Sequence, residues 1–316
     1  MKYVVTGGAG FIGSHIVEEL ASRKHEVVIL DNLFSGKMEN IAQFQEKENV
    51  SFVNGSLTDL PLLQKTFKCA DGIFHEGAIV SVPYSVVHPA ESHDINLTGT
   101  LNVLTAARDC GVKSLIFASS AAVYGNNPDL PKREEMVPET LSPYAVTKLA
   151  GEYYCTVFSK LYGVRCVVLR YFNVFGPRQD PDSPYSGVIS KFISNTLGHR
   201  PLTIFGDGRQ TRDFVFVKDV VQANIRAMES REQGVFNIAC GKQINLLKLA
   251  DMIMETSRIT VPITFGPAAA GDVRDSLADI TRAQERLEYG PVYSVKMGLE
   301  ETILWYKKSE GGQEIT

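Results

Sequence analysis

Over roughly its first 170 residues the chain alternates short runs rich in β-branched and aromatic residues with longer segments whose apolar positions recur every three or four residues. The short runs predict strands at Tyr3–Thr6, Glu26–Leu30, Val50–Val53, Gly72–His75, Ser114–Ala118 and Arg165–Arg170. The longer segments predict helices at Phe11–Ser22, Asp59–Phe67, Pro89–Arg108 and Ser142–Tyr162. Strands alternating with helices imply a parallel sheet covered on both faces, an α/β doubly wound fold with its ligands outside the carboxyl ends of the strands. After Asn173 the rhythm is lost. Gly176–Gly187 is rich in Pro, Asp and Ser, as in a loop leading out of the sheet. Beyond it the pattern predicts a helix at Gly187–Leu197, a strand at Phe214–Val217, a helix at Lys218–Met228 and a strand at Val235–Ile238. Helices follow at Leu246–Ser257 and Val295–Tyr306, and the polar tail Lys307–Thr316 is expected to fray. The expected division is residues 1–172 and a smaller α+β unit at 173–316, with some segments of the second returning to the first.

Composition narrows the class without naming an activity. Of 316 residues, 44 % are hydrophobic and 22 % charged, which excludes disorder, collagen and coiled coil. No run approaches the ~18 apolar residues of a membrane span. A net charge of −4 argues against nonspecific binding to nucleic acid or a membrane surface. The opening MKYVVTGG has no signal-peptide pattern, so a cytoplasmic protein is expected. Five scattered cysteines without a Cys-x-x-Cys fit neither a disulfide framework nor structural zinc. His88 and His93 lack the companions of a metal site, so no metal is expected.

Thr6-Gly7-Gly8-Ala9-Gly10-Phe11-Ile12-Gly13 follows the first strand and opens a helix. The glycines suit a tight turn, close backbone approach to a pyrophosphate and close helix–strand packing, as in a Rossmann dinucleotide site. The helix N-terminus offers free N–H groups to the phosphates. Asp31 ends the second strand 21 residues after Gly10, where a carboxylate accepts from ribose hydroxyls and repels a 2′-phosphate. The expected cofactor is therefore NAD rather than NADP.

Among the tyrosines, Tyr144 alone has a lysine four residues on, Lys148, so both project from one helical face. An ammonium ~4 Å from a phenol at effective dielectric ~20 contributes about 4 kcal/mol, nearly three pKa units. Such a pair could hold a phenolate near neutrality to accept a hydroxyl proton. Ser119 and Ser120 end the fifth strand, and either hydroxyl could meet a reacting substrate oxygen or simply cap the strand. His75, at the end of the fourth strand, reads as a satisfied core residue rather than a base. Gly206-Asp207-Gly208 reads as an ordinary turn that aims Arg212.

The motifs TGGAGFIGS, SSAAVYG, SPYAVTK and RYFNVFGPRQDP resemble the extended short-chain dehydrogenase/reductase family, and GDGRQTRDF with GDVRDSLAD resembles its nucleotide-sugar 4-epimerases, over about Lys2 to Tyr306. The resemblance implies that Ser120 acts with Tyr144 and Lys148, Tyr144 taking the 4-hydroxyl proton while hydride passes from C4 to a permanently bound NAD. It implies a cofactor site of Gly7, Gly10, Phe11, Ile12, Gly13, Asp31, Asn32, Ser56, Leu57, Gly77, Ala78, Tyr144 and Lys148. For the UDP-sugar it implies Ser120, Asn173, Phe205 beside the uracil, and Arg212. It also implies a homodimer built through Pro89–Arg108 and Ser142–Tyr162.

Related dehydratases carry an Asp-Glu pair where this chain has Ala121-Ala122, so epimerisation without elimination is expected. At Ser276 a bulky residue restricts relatives to glucose and galactose, whereas a small one admits N-acetyl groups. UDP-GlcNAc/UDP-GalNAc is thus the expected pair, with UDP-Glc/UDP-Gal as a second pair; a serine engaged only in local hydrogen bonding is the alternative. UDP-glucose alone, UDP-glucuronate and a non-enzymatic NAD sensor are the competing functions. Ala269 stands where relatives have an Arg on the diphosphate, leaving Arg274 or Arg178 as the compensating cations.

Overall fold

A computed structural model describes residues 1–44, 46–181, 187–267 and 273–310. Six strands of the first half lie where the β-branched runs predict them: β1 (Lys2–Thr6), β2 (Glu26–Asp31), β3 (Val50–Asn54), β4 (Gly72–His75), β5 (Ser114–Ser120) and β6 (Arg165–Tyr171). They pair in parallel in the order β3-β2-β1-β4-β5-β6. Their alternating side chains build two cores. Val5, Ile29, Phe74 and Ile116 face α1 (Phe11–Ser22) and a later helix, while Val4, Leu30, Ile73 and Leu115 face the opposite layer. That layer holds α2 (Leu60–Thr66), α3 (Val82–Val87), α4 (Pro89–His93), α5 (Gly99–Asp109) and α6 (Pro143–Tyr162).

The helix expected over Pro89–Arg108 is interrupted. A π-helical turn at Asp94–Thr98 separates α4 from α5. The turn aims the Asn96 amide at the loop after β4, where it accepts from Ile79 N at 2.7 Å and donates to Ile79 O at 2.9 Å. Such turns commonly mark functional positions.

The second half contributes β7 (Asn173–Phe175), α7 (Val188–Leu197), β8 (Leu202–Phe205), β9 (Thr211–Phe216), α8 (Val217–Glu229) and β10 (Gly234–Ile238). There follow β11 (Gln243–Asn245), α9 (Leu246–Ser257), β12 (Ile263–Gly266), α10 (Thr281–Leu287) and α11 (Val295–Glu310). β10 returns to the large sheet as its seventh strand, parallel to β6, and α8 packs beside α1. β11-β9-β7 and β12-β8 form small separate sheets. The expected strand at Phe214–Val217 begins three residues earlier, at Thr211, and ends at Phe216. α11 continues through Lys307–Glu310, where fraying was expected. Leu299, Ile303 and Tyr306 form one buried stripe along it, and Tyr306 Oη donates to Gln179 O. Residues 311–316 of the expected tail lie outside the described residues. Among the described residues no helix is long and apolar enough to cross a membrane.

Candidate active site

The glycine turn forms because no side chain fits it. Gly7 has φ +67°, and a Cβ there meets Gly77 Cα at 2.7 Å; a Cβ on Gly13 meets Gly7 O at 2.2 Å. Gly7 N donates to Leu30 O at 2.8 Å, and Gly10 caps α1 in extended geometry without a side-chain bond. Phe11 and Ile12 begin α1, whose first N–H groups face the carboxyl edge of the sheet. This cradle fits a dinucleotide pyrophosphate.

Asp31 ends β2 and is buried, its oxygens accepting from Ala9 N at 3.0 Å and Leu33 N at 2.8 Å. Burial raises its pKa, opposed by those two bonds. Asn32 is exposed beside it and turns its Oδ1 to Phe34 N at 3.1 Å. Ser56 bonds Thr58 at 2.8 Å, whereas Leu57 is buried and reaches the Gly77 position. Gly77 and Ala78 are half-buried at the edge between the glycine turn and the Asn96 clamp.

Ser142 and Pro143 start α6: Ser142 Oγ accepts from Ala145 N at 3.2 Å, and proline occupies the first helical position. At the next residue, Tyr144 is buried with its backbone N–H held by Ser85 Oγ at 3.1 Å. The structure separates the two serines. Ser119 is buried with its hydroxyl on Glu152 at 2.5 Å, whereas Ser120 is half-buried, its Oγ accepts from Ala122 N at 3.1 Å, and its hydroxyl lies near enough to the Tyr144 phenol to lower that pKa. Lys148 Nζ donates to Ala118 O at 2.7 Å and lies 5.9 Å from the Tyr144 ring centroid.

Burial raises the Tyr144 pKa, and the Ser120 hydroxyl is the opposing influence. The ammonium is turned to a main-chain carbonyl, and burial lowers Lys148 itself to about 8. His75 bridges Thr6 at 2.8 Å and Thr100 at 3.0 Å; burial lowers it to about 3, leaving a neutral core residue.

Several contributors escaped the sequence reading. Ser85, Asn96, Glu152 and Arg170 position the groups above, yet each sits in an unremarkable helix or strand pattern. Their partners are distant along the chain, so no local signal marks them. Glu76, next to His75, was also missed, and its neighbourhood is described below.

On the second half, β7 pairs with β9 so that Asn173, exposed, stands opposite Phe214. Thr211 then gathers the third segment: its N–H donates to Arg274 O and its carbonyl accepts from Ser276 N, both at 3.1 Å, while its hydroxyl donates to Asp275 at 2.6 Å. Arg212 Nη1 donates to Thr211 O at 2.8 Å and Arg274 O at 3.3 Å. Asn173, Arg212, Arg274 and Ser276 are thus assembled around β9. Phe205 is 53 % exposed at the end of β8, tied in by Gln210 Nε2 on its carbonyl at 2.6 Å. The two cations weighed as substitutes for an Arg at 269 are both engaged: Arg274 forks onto Asp207 at 3.0 and 3.1 Å, and Arg178 pairs with Glu18 at 2.5 Å. Ala269 itself lies outside the described residues, as do Gly271 and Asp272.

A family model described as the NAD dependent epimerase/dehydratase family matches residues 3–239. The chain belongs to that family. It is 39 % identical over 308 residues to a putative UDP-glucose 4-epimerase of Methanocaldococcus jannaschii, covering 97 % of this chain and 98 % of the relative. A UDP-N-acetylglucosamine 4-epimerase from Methanobrevibacter ruminantium, solved with UDP-N-acetylmuramic acid, superposes at TM-score 0.94 with 41 % identity and 98 % coverage of both chains. A UDP-glucuronic acid 4-epimerase from Bacillus cereus, solved with UDP-glucuronic acid and NAD, superposes at 0.91 with 32 % identity, covering 98 % of this chain and all of that one. Membership in the epimerase/dehydratase family accords with the glycine cradle and the strand order; the sugar is not given by it.

Proposed function

We propose that the chain interconverts UDP-GlcNAc and UDP-GalNAc as an NAD-dependent 4-epimerase working through a 4-keto intermediate, with UDP-Glc and UDP-Gal as a second pair. The observation that carries this reading is the Ser120 hydroxyl set beside the buried Tyr144 phenol at the end of β5, followed by Ala121-Ala122, which offer no carboxylic acid to promote loss of water. Gly7, Gly10, Phe11, Ile12 and Gly13 hold the cofactor pyrophosphate, Asp31 and Asn32 its adenosine ribose, Ser56 and Leu57 its adenine, and Gly77 and Ala78 line its path. When bound, NAD supplies the acceptor and donor of hydride at the sugar C4. Tyr144 Oη exchanges the proton of the 4-hydroxyl, Ser120 Oγ orients that oxygen, and the Lys148 charge favours the phenolate. Arg212 and Asn173 hold the diphosphate side and Phe205 stacks beside the uracil. Ser276, held by its main-chain bond to Thr211, is the small residue that admits an N-acetyl group at the sugar 2-position.

We read residues 1–172 as the cofactor unit and 173–316 as the sugar unit of a cytoplasmic homodimer, with segments of the second such as β10 returning to the first. An apolar stripe on α6 supports the dimer: Val146, Tyr153 and Val157 are all exposed, next to exposed Val86 and Val87 of α3. Incubating the pure protein, without added NAD, with UDP-GlcNAc, UDP-Glc and UDP-glucuronate separately tests the reading. Conversion of UDP-GlcNAc is expected. Turnover of UDP-Glc alone, of UDP-glucuronate alone, or formation of a 4-keto-6-deoxy sugar overturns it.

A further inference from the structure

Glu76 directly follows β4 and has no part in the proton transfer described above. Its N–H donates to Thr6 O at 3.2 Å, and its carboxylate accepts from Tyr171 Oη at 2.9 Å. Tyr171 Oη accepts in turn from Asn224 Nδ2 at 2.7 Å, so the phenol proton is committed to Glu76. This bond crosses over β5. His75 pairs with Phe117 and Ser120 with Tyr171, which sets Glu76 level with Ala118. Ala118 is the residue whose carbonyl holds Lys148 Nζ. The carboxylate comes from the side of the sheet covered by α8, which carries Asn224, and the ammonium from the side covered by α6.

The charged surroundings are sparse. Tyr171 and Lys148 are the titratable groups acting on Glu76; Glu76, then Cys155 and Glu152, act to keep Lys148 charged. We propose that Glu76 is a positioning residue for the reaction, fixed by Tyr171 and serving as the counter-charge that keeps Lys148 cationic beside Tyr144. This role rests on the reading of Tyr144 and Lys148 given above. Burial pushes Glu76 up to about 7 and pulls Lys148 down to about 8, so both lie where a lost partner changes the charge state near neutrality.

Glutamine at 76 still accepts the Tyr171 proton but carries no charge, whereas Tyr171→Phe removes the bond and keeps the carboxylate. The experiment follows Lys148 Nζ by NMR in NAD-loaded, lysine-labelled protein, the signal being assigned by its loss in Lys148→Arg. In the unmodified protein the signal should show two inflections, one from Glu76 and one from Lys148 itself. In Glu76→Gln the first should vanish and the second move down by about one pH unit. The alkaline limb of kcat should move with it while KM for the UDP-sugar is held, and Tyr171→Phe should shift Lys148 less. A single inflection in the unmodified protein, an unmoved Lys148 in Glu76→Gln, or equal shifts in the two variants overturns the role. The unmodified protein decides the matter even if Glu76→Gln does not fold. If the shifts appear but no UDP-sugar is epimerised, the electrostatic coupling of Glu76 to Lys148 stands and the functional reading fails.

Discussion

Glu152 and Asp213 are buried carboxylates, one in each half of the chain, and their charges are met in different ways. Glu152 takes the Arg170 fork at 2.9 and 2.7 Å and the Ser119 hydroxyl at 2.5 Å, and the Arg170 guanidinium lies 4.8 Å from the Tyr124 ring centroid. Glu152, Arg170 and Ser119 stand on α6, β6 and β5. Among the described residues Asp213 has no cation as a hydrogen-bond partner. It accepts instead from the main-chain N–H groups of Cys240 at 2.9 Å and Ala278 at 3.2 Å, with Gly241 and Lys242 adding to them. Inside regular elements the backbone groups are already paired in ladders and helices, so side chains must neutralise one another. Where loops meet, unpaired N–H groups are available, and one carboxylate collects them.

Removing each carboxylate tests that contrast. Glu152→Ala leaves the Arg170 charge buried without its partner and should cost about 3–5 kcal/mol in urea unfolding. A loss as small as that of a surface pair would erase the distinction between the two sites. Asp213→Asn keeps one acceptor oxygen and should cost about 1–3 kcal/mol. Its pH dependence is the sharper readout. Burial raises the folded-state pKa of Asp213 from 3.8 to about 6, so its favourable contribution is full below the unfolded value and is lost as the pH rises through 6. The stability gap between the parent and Asp213→Asn should therefore be wider at pH 4 than at pH 7; a gap that widens with pH contradicts the assignment.

Smaller effects concern the sugar side. Ser276→Tyr fills the space beside Thr211 and should cut turnover of UDP-GlcNAc at least tenfold, about 1.4 kcal/mol, while sparing UDP-Glc; equal loss of both sugars removes Ser276 as the selecting residue. Asp207→Asn should leave the urea midpoint unchanged, because the pair with Arg274 is open to solvent on both sides. A clear drop would mean that this exposed pair behaves like the buried one on α6.

The first half was readable because burial there is periodic. β1, β2, β4, β5 and β6 are buried on both faces, with β3 as the half-exposed edge, and the glycine turn, Asp31, Tyr144 and Lys148 occur at spacings that local geometry alone imposes. The second half was less so. β7, β8, β11 and β12 are three or four residues long, too short for a period to show, and β9 owes its start to Thr211 bonding residues more than sixty positions away. The π-helical turn in the segment expected as one helix is likewise explained by Asn96 reaching back to Ile79.

By itself, then, the sequence determined the parallel sheet, the dinucleotide cradle and the pairing of a tyrosine with a lysine on one helical face, since each depends on neighbours within a turn or a strand. Only the tertiary structure decided that Ser119 is taken up by Glu152, that Lys148 is turned to Ala118 rather than to the phenol, and that Glu76 lies level with Ala118 across the sheet. Those outcomes depend on strand register and on burial from both faces of the sheet, quantities that exist only once distant segments have been brought together.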